Sequence, residues 1–127
     1  MGKFQVKAAG KGVMFNLLAT NGQVVATSEV YNKKDSLRRG IASVQANAPV
    51  AGVEDQTAEK PARIPNPKFE VYADKAGKFR FRLKAKNGQI IGVSESYQKK
   101  ASCLSGVESV RKNAASATED AREQPTE

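Results

Sequence analysis

Two groups of polar residues in this 127-residue sequence are spaced so that their side chains could act together in binding or catalysis. In the first group every second residue is basic, and its members are Lys78, Arg80, Arg82, Lys84 and Lys86. In a β-strand these side chains share one face at intervals of about 6.6 Å, which is twice the rise per residue. A row of cations at that spacing is suited to contact the phosphates of a nucleic acid, or another polyanion.

The same row is also what an ordinary solvated sheet face contains. Glu70, Tyr72 and Asp74 alternate along the preceding strand and have the spacing to pair with the basic residues. Proteins that bind single-stranded nucleic acid expose aromatic rings on which bases stack. Tyr72 is the one aromatic residue that we expect on this face, because the alternation places Phe79 and Phe81 in the core. We favour the solvated face and keep polyanion binding as the alternative.

The second group is a Ser-Glu-x-Tyr motif that occurs twice and is followed each time by two lysines. Its members are Ser28, Glu29 and Tyr31 in the first copy and Ser94, Glu95 and Tyr97 in the second. A glutamate, a tyrosine and a lysine held close together can transfer protons. An asymmetric enzyme rarely needs that constellation twice, and a tyrosine between a strand and a helix can pack its ring and donate its hydroxyl to the backbone. We interpret the motif as structural and predict no catalytic residue.

The composition excludes several classes of site. The chain has no histidine, which excludes Ser-His-Asp and Cys-His catalysis and histidine-ligated metals. Its single cysteine excludes an internal disulfide and a cysteine zinc cluster. The glycine-rich motifs that cradle phosphates and dinucleotides are missing from the sequence. We therefore predict neither a metal nor a cofactor.

The charge and hydropathy pattern predicts a cytoplasmic protein that does not enter a membrane. The formal net charge is +8, from 21 basic and 13 acidic residues. No apolar run approaches the roughly 20 residues that span a bilayer, and the first residues lack the apolar core of a secretory signal. A single thiol is in line with a reducing compartment.

The chain repeats itself. The segment that starts at Asn21 aligns without gaps with the segment that starts at Asn87, an offset of 87 − 21 = 66 residues. Asn-Gly-Gln, Ser-Glu-x-Tyr, Lys-Lys, a glycine and Ser-Val-x-x-Asn-Ala recur in place. We predict a first repeat at 1–58, a proline-rich linker at 59–67, a second repeat at 68–120 and a disordered acidic tail at 121–127, all within one compact domain.

Each repeat has the pattern of three strands, a helix and a final strand. Alternating apolar residues predict the first two strands, and Asn-Gly predicts the turn before the third. The first helix, predicted at about 33–47, has an apolar stripe of Leu37, Ile41, Val44 and Ala48. The second, predicted at about 99–113, has the same stripe with Cys103 in place of Leu37. Residues 51–57 predict a final strand, and 117–120 is its less clearly patterned counterpart.

Each predicted helix contains one glycine, Gly40 or Gly106, near its middle. A glycine there costs about 1 kcal/mol of helix stability relative to alanine. We attribute both glycines to close approach of the helix to the sheet or to its twin.

The sequence resembles the YegP-like family of small bacterial and archaeal proteins over residues 3–57 and 68–120. The resemblance lies in a pattern that occurs twice, N-G-Q … S-E-x-Y-x-K-K … G-I/V-x-S-V-x-x-N-A. The resemblance implies one continuous sheet built from two repeats, with exchange of the terminal strands. A three-stranded sheet with one helix is too small to bury its apolar faces alone. We therefore predict an α+β fold of two tandem β-β-β-α-β repeats, which share an antiparallel sheet about a pseudo-twofold axis with both helices packed on it.

The family is a domain of unknown function, so the resemblance implies no site residues. We expect a non-enzymatic interaction module, which binds a protein partner or forms a homo-oligomer through a sheet face or edge. The chain is then a monomeric pseudo-dimer or a weak homodimer. The alternative is a weak, sequence-independent binder of nucleic acid or another polyanion through the row at residues 78–86.

Overall fold

Each repeat folds into three strands, a helix and a short final strand. In this computed structural model, which describes residues 2–60, 63–116 and 118–120, the first repeat contains β1 (Lys3–Ala9), β2 (Gly12–Leu18), β3 (Val24–Thr27), α1 (Lys34–Asn47) and β4 (Gly52–Asp55). The second repeat contains β5 (Lys68–Ala73), β6 (Phe79–Lys84), β7 (Ile90–Val93), α2 (Lys100–Ser116) and β8 (Thr118–Asp120).

All eight strands belong to one sheet, in the order β4-β5-β6-β7-β3-β2-β1-β8. The two repeats meet in the middle, where β3 and β7 are antiparallel and joined by the single pair Thr27 and Val93. The final strand of each repeat lies at the edge of the other repeat's strands, so the implied exchange of terminal strands is confirmed. The predicted shared sheet and both helices are confirmed with it.

One correction concerns the direction of the edge strands. The sheet is antiparallel through its six central strands, but β4 is parallel to β5 and β8 is parallel to β1. A hairpin would make its two strands antiparallel, but neither pair is a hairpin. Residues 56–67 connect β4 to β5 instead of a tight turn, and β1 and β8 are the first and last described strands of the chain.

The Asn-Gly turns form as the sequence predicts. Gly22 and Gly88 have φ angles of +85° and +86°, which a side chain would strain. Asn21 Oδ1 accepts a hydrogen bond of 3.0 Å from the backbone N–H of Gln23, and Asn87 does the same with Gln89. Each turn therefore directs the third strand back along the second.

The core lies between the helices and one face of the sheet. The predicted stripes of both helices are buried, including Leu37 and Cys103, which are 1% and 0% exposed. Phe4 meets Phe15 edge to face at 5.5 Å, and Phe69 meets Phe81 in the same way at 5.9 Å. Phe79, predicted to be in the core, is partly buried and packs against it.

Each helix also contacts the other repeat: α1 packs on β7, and α2 packs on β3. The two repeats thus share one core. No described helix is long and apolar enough to cross a membrane. The predicted disordered tail at 121–127 lies outside the described residues.

Candidate functional site

The arginines in the middle of the basic row form ion pairs with carboxylates on or next to the neighbouring strand. β5 and β6 place Tyr72 opposite Arg80 and Glu70 opposite Arg82. Arg80 Nε lies 2.9 Å from a carboxylate oxygen of Asp74, and Arg82 Nε lies 2.6 Å from Glu70 Oε1. The Arg82 guanidinium also lies over the ring of Tyr72, 4.6 Å from its centre.

Glu70 is the centre of a buried ion cluster on the sheet face away from the helices. It is only 3% exposed, and Lys68 Nζ and Lys84 Nζ lie 3.4 and 3.5 Å from its Oε2. Burial raises the pKa of Glu70, but the hydrogen bond and charge of Arg82, with the two lysines, outweigh it and leave that pKa lowered. Glu70 therefore stays ionised and needs these cations.

Glu54 on β4 extends this cluster to the exchanged strand. It is 3% exposed, and it accepts hydrogen bonds from Gln56 Nε2 at 2.7 Å, Lys68 Nζ at 2.8 Å and the backbone N–H of Ile64 at 3.0 Å. These bonds, with that from Gln56 the largest, lower the pKa of Glu54 to about 2 against the effect of burial. Lys68 thus joins β4 to β5 through two buried carboxylates.

The structure therefore divides the basic row into paired and exposed members. Arg80, Arg82 and Lys84 face carboxylates, as the solvated-face interpretation expects. Lys78 and Lys86 lie at the two ends of the row and are exposed. Within the described residues neither of them has an ion pair. Polyanion binding by the row stays a prediction.

The serine of each Ser-Glu-x-Tyr motif completes the sheet where the third strand ends. Ser28 Oγ accepts a hydrogen bond of 2.9 Å from the backbone N–H of Phe15 and donates one of 2.7 Å to the carbonyl of Glu29. Ser94 makes the same two bonds, with Phe81 and Glu95. The hydroxyl replaces a backbone group that has left the ladder, so the buried N–H keeps a partner.

The tyrosine of each motif fills the space that the helix glycine leaves. Tyr31 returns to the sheet through two backbone hydrogen bonds with Val13 and stacks on Phe15. A Cβ on Gly40 would overlap the Tyr31 hydroxyl. Tyr97 relates in the same way to Gly106, where a Cβ would also lie 3.0 Å from a ring carbon of Phe81. The glycines therefore make room for tyrosine rings.

The proton-transfer constellation is not assembled in the structure. Burial, and then the charge of Glu29, raises the pKa of Tyr31, which keeps its hydroxyl protonated. In the second repeat Lys100 is held by Asp55 at 2.7 Å and by the Thr57 hydroxyl at 3.2 Å. In the described part of the chain no hydrogen bond or ion pair joins the glutamate, tyrosine and lysines of either motif.

Residues that recur in both repeats line two clefts. Cleft 1, with a volume of about 290 Å³, lies between α1 and the turn and third strand of the second repeat. Its lining is Glu29, Tyr31, Ser36, Arg39, Gly40, Ser43, Asn87, Gln89, Ile90 and Ile91. One wall therefore belongs to each repeat.

Cleft 2 is the pseudo-symmetric counterpart, between α2 and the turn and third strand of the first repeat. Its volume is about 250 Å³, and its lining is Ala19, Asn21, Gln23, Val25, Tyr97, Ser102, Ser105, Gly106 and Ser109. Glu95 and Val24 line the adjoining depression. At the offset of 66 residues every residue of cleft 1 thus has a counterpart in or beside cleft 2.

The clefts flank the place where the repeats meet. A single residue pair joins β3 to β7, and the Asn-Gly turn at the end of each hairpin lies beside the helix of the other repeat. One wall of each cleft is therefore the turn and third strand of one repeat, and the other wall is the helix of the other repeat.

The sequence motifs identified some of the residues that line each cleft but did not predict the clefts. The motifs identified Tyr31, Glu29 and Gly40, but not Ser36 and Arg39, nor their proximity to Asn87 and Gln89. The available signal was that Asn-Gly-Gln and the helix serine recur at the same offset as Ser-Glu-x-Tyr. That signal does not say which turn meets which helix.

Comparison with known proteins agrees with this architecture. The sequence matches the family described as "Domain of unknown function (DUF1508)" twice, over residues 8–55 and 74–120. The solution NMR structure of YegP, a protein of unknown function from E. coli, is similar with a TM-score of 0.74 and 32% sequence identity, over 99% of this chain and 96% of that chain.

Curated relatives include chains of two lengths. UPF0339 protein plu2779 of Photorhabdus laumondii is 40% identical over 117 residues, which are 91% of this chain and 90% of that protein. A UPF0339 protein of Treponema denticola is 70% identical over 47 residues, which are 37% of this chain and 81% of that protein. The resemblance seen in the sequence is confirmed, and neither the family description nor these names state a reaction, a ligand or a partner.

Proposed function

This chain belongs to the DUF1508 family, whose domain it contains twice, and from that premise we propose that it is a non-enzymatic interaction module that binds its partner at clefts 1 and 2. The observation that carries the proposal is the repeated set of polar residues in the clefts. Glu29, Ser36 and Gln89 have counterparts in Glu95, Ser102 and Gln23, and each set combines residues from both repeats.

Other repeated residues have roles in the fold itself, which leaves the polar cleft residues as the ones available to a partner. Ser28 and Tyr31 complete the sheet and pack on the helix, and Gly40 makes room for the tyrosine. Glu29 is exposed and has no ion pair in the described part of the chain. A polar residue that recurs without a structural partner is available for a ligand.

The test follows the backbone amide signals of ¹⁵N-labelled full-length chain by NMR while two fractions of a bacterial extract are added, one of proteins and one of small molecules. We expect one fraction to shift the amide signals of Glu29, Gln89 and their counterparts. Ser36→Trp and Ser102→Trp, which fill clefts 1 and 2, should each remove the shifts in the cleft concerned.

The matched control is Lys78→Trp, which adds the same side chain at an exposed position outside both clefts. Shifts that avoid the clefts, shifts that survive both cleft variants, or no shifts at all would contradict the proposal. The two fractions separate a macromolecular partner from a small ligand.

The second candidate is weak, sequence-independent binding of nucleic acid or another polyanion. Lys78 and Lys86 favour it, since both are exposed and lack ion pairs among the described residues. Titration with single-stranded RNA at rising salt should then show affinity that falls steeply. Lys78→Glu with Lys86→Glu should reduce binding more than the same two changes at the paired residues Arg80 and Arg82. Affinity that does not change with salt excludes this candidate.

A further inference from the structure

Clefts 1 and 2 differ in one charged position. Arg39 lines cleft 1, and Ser105 occupies the corresponding position of cleft 2. Seven other positions of cleft 1 have the same residue in the other repeat: a glutamate, a tyrosine, two serines, a glycine, an asparagine and a glutamine. The two remaining positions have isoleucine in cleft 1 and valine in the other repeat. Cleft 1 therefore has a cation as well as an anion in its wall. Among the described residues, cleft 2 has no charged residue in its own lining; Glu95 lines one adjoining depression, and Glu108 and Lys112 line another.

Both charged groups of cleft 1 are free to bind a ligand. Arg39 and Glu29 are exposed, and among the described residues neither forms an ion pair, with each other or with a third group. A guanidinium binds a carboxylate through two parallel hydrogen bonds. A carboxylate accepts charge-assisted hydrogen bonds from an ammonium group. The wall of cleft 1 is thus complementary to a ligand that has one charge of each sign.

The size of the cleft sets the size of the ligand. A volume of about 290 Å³ is at the lower end of the range of small-molecule sites. Ser36 and Asn87 add polar groups around the two charges, and Ile91 supplies an apolar surface between the walls. A ligand with two charged groups on a short carbon skeleton fits these dimensions.

We propose that cleft 1 binds a small zwitterion, with its carboxylate on Arg39 and its ammonium group on Glu29. This is the chemistry that a free α-amino acid offers. The proposal rests on the proposed function, because it assigns a ligand class to one of the two clefts. Cleft 2 has Ser105 at the position of Arg39, and Lys112 lines the adjoining depression along α2 rather than the cleft itself. We therefore expect cleft 2 not to bind the same ligand.

The experiment titrates ¹⁵N-labelled full-length chain with L-serine as the zwitterion, with acetate as a carboxylate alone and with methylammonium as an ammonium group alone, at equal ionic strength. L-Serine should shift the amide signals of Glu29, Arg39, Gly40 and Gln89 in a saturable way. Acetate and methylammonium should each bind at least about tenfold more weakly, because each loses one charge-assisted hydrogen bond.

The internal symmetry provides the matched variants. Arg39→Ser gives cleft 1 the residue of cleft 2 and should weaken L-serine binding about tenfold or more. Ser105→Arg gives cleft 2 the residue of cleft 1 and should produce new saturable shifts at Glu95, Gly106 and Gln23. Both positions are exposed, and the spectra of the ligand-free variants report directly whether the fold is kept.

Three results overturn the proposal: no saturable shift with L-serine, equal affinity for acetate and L-serine, or unchanged binding by Arg39→Ser. If the extract fractions still shift the cleft signals in that case, the interaction module stands and only the zwitterion is excluded. If neither the extract nor L-serine shifts them, both proposals fail.

Discussion

Tyr31 and Gly40 show how a motif with the composition of a proton-transfer site serves packing instead. The tyrosine ring stacks on Phe15 with its centre 6.3 Å away, and its hydroxyl occupies the space beside the helix glycine. Ser28 meanwhile supplies the partner of a buried backbone N–H. At the residue scale the two copies of the motif therefore account for how the third strand ends and how the helix approaches the sheet.

The glycine can be tested by a substitution that stabilises most helices. Gly40→Ala gains helix propensity of about 1 kcal/mol, but its methyl group overlaps the Tyr31 hydroxyl, and overpacking costs about 1–3 kcal/mol. The ring is fixed by Phe15 and cannot move away without losing its contacts. We expect Gly40→Ala to lower the free energy of unfolding in urea titrations.

A second substitution separates the overlap from other effects. In a Tyr31→Phe background the closest overlap is gone, so Gly40→Ala should cost less there than in the original chain. Ser105→Ala, an exposed helix position, is the control and should change stability by less than about 0.5 kcal/mol. An equal cost of Gly40→Ala in both backgrounds would refute the role given to the hydroxyl.

The exchanged strand β4 is held by side-chain ion pairs as well as by backbone pairing. It has four residues at the edge of the sheet, and Glu54 ties it to Lys68 on β5 while Asp55 ties it to Lys100 on α2. In the first repeat, neutral Gln5 and Asn16 occupy the positions of Glu70 and Arg82, with 3.5 Å between their amide groups. At the element scale, the two halves therefore use different polar chemistry on equivalent faces of the sheet.

The anchoring of β4 should depend on acid pH. The pKa of Glu54 in the folded chain, about 2, is below the ordinary value of 4.5. A group with a lowered pKa adds stability above its ordinary pKa, and that stability is lost as the pH falls through the folded value. We expect the free energy of unfolding to decrease as the pH falls from 4.5 to 2. The protection of the β4 amides, measured as exchange relative to the intrinsic rate at each pH, should decrease with it.

Glu54→Gln removes the titrating group and should flatten this part of the pH profile. It should also lower stability at neutral pH, because Lys68 loses a charged partner. Glu59→Gln, an exposed carboxyl in the predicted linker, is the control and should leave the profile unchanged. A Glu54→Gln profile as steep as that of the original chain would show that other carboxyl groups cause the acid sensitivity.

The whole molecule is held together by more than its linker. Each repeat gives its final strand to the other repeat's edge, and each helix packs on the other repeat's third strand. The two clefts exist only in this assembled form, since each has one wall from each repeat. That the chain is the intramolecular form of a symmetric dimer stays a prediction.

A chain cut in the linker should therefore stay assembled. With a protease site inserted after Lys60, we expect the two pieces to elute together in gel filtration at the volume of the uncut protein. Because the pieces are then separate molecules, the midpoint of thermal unfolding should rise with protein concentration. The uncut insertion variant is the control, with a midpoint independent of concentration. Pieces that separate while each keeps its helical circular dichroism would contradict the shared core.

Much of the fold is determined by the sequence, because the patterns that predict it are local. The Asn-Gly turns, the alternating strands and the apolar stripes of both helices depend on residues within a few positions of each other, and the observed α1 and α2 begin within one residue of their predicted starts. Duplication of these patterns supplies the shared sheet. The pairing of Glu70 and Asp74 with the basic row also follows from register.

Only the tertiary structure decides which residues of different repeats meet. The parallel edge strands, the burial of Glu54 beside Lys68 and the placement of Arg39 and Gln89 in one cleft depend on the exchange and on how the helices cross the sheet. These arrangements bring together residues that are separated in the chain, and burial and charge in the assembled fold stabilise them. A local sequence pattern does not identify such partners. The candidate site, which has one wall from each repeat, therefore could not be predicted from the sequence.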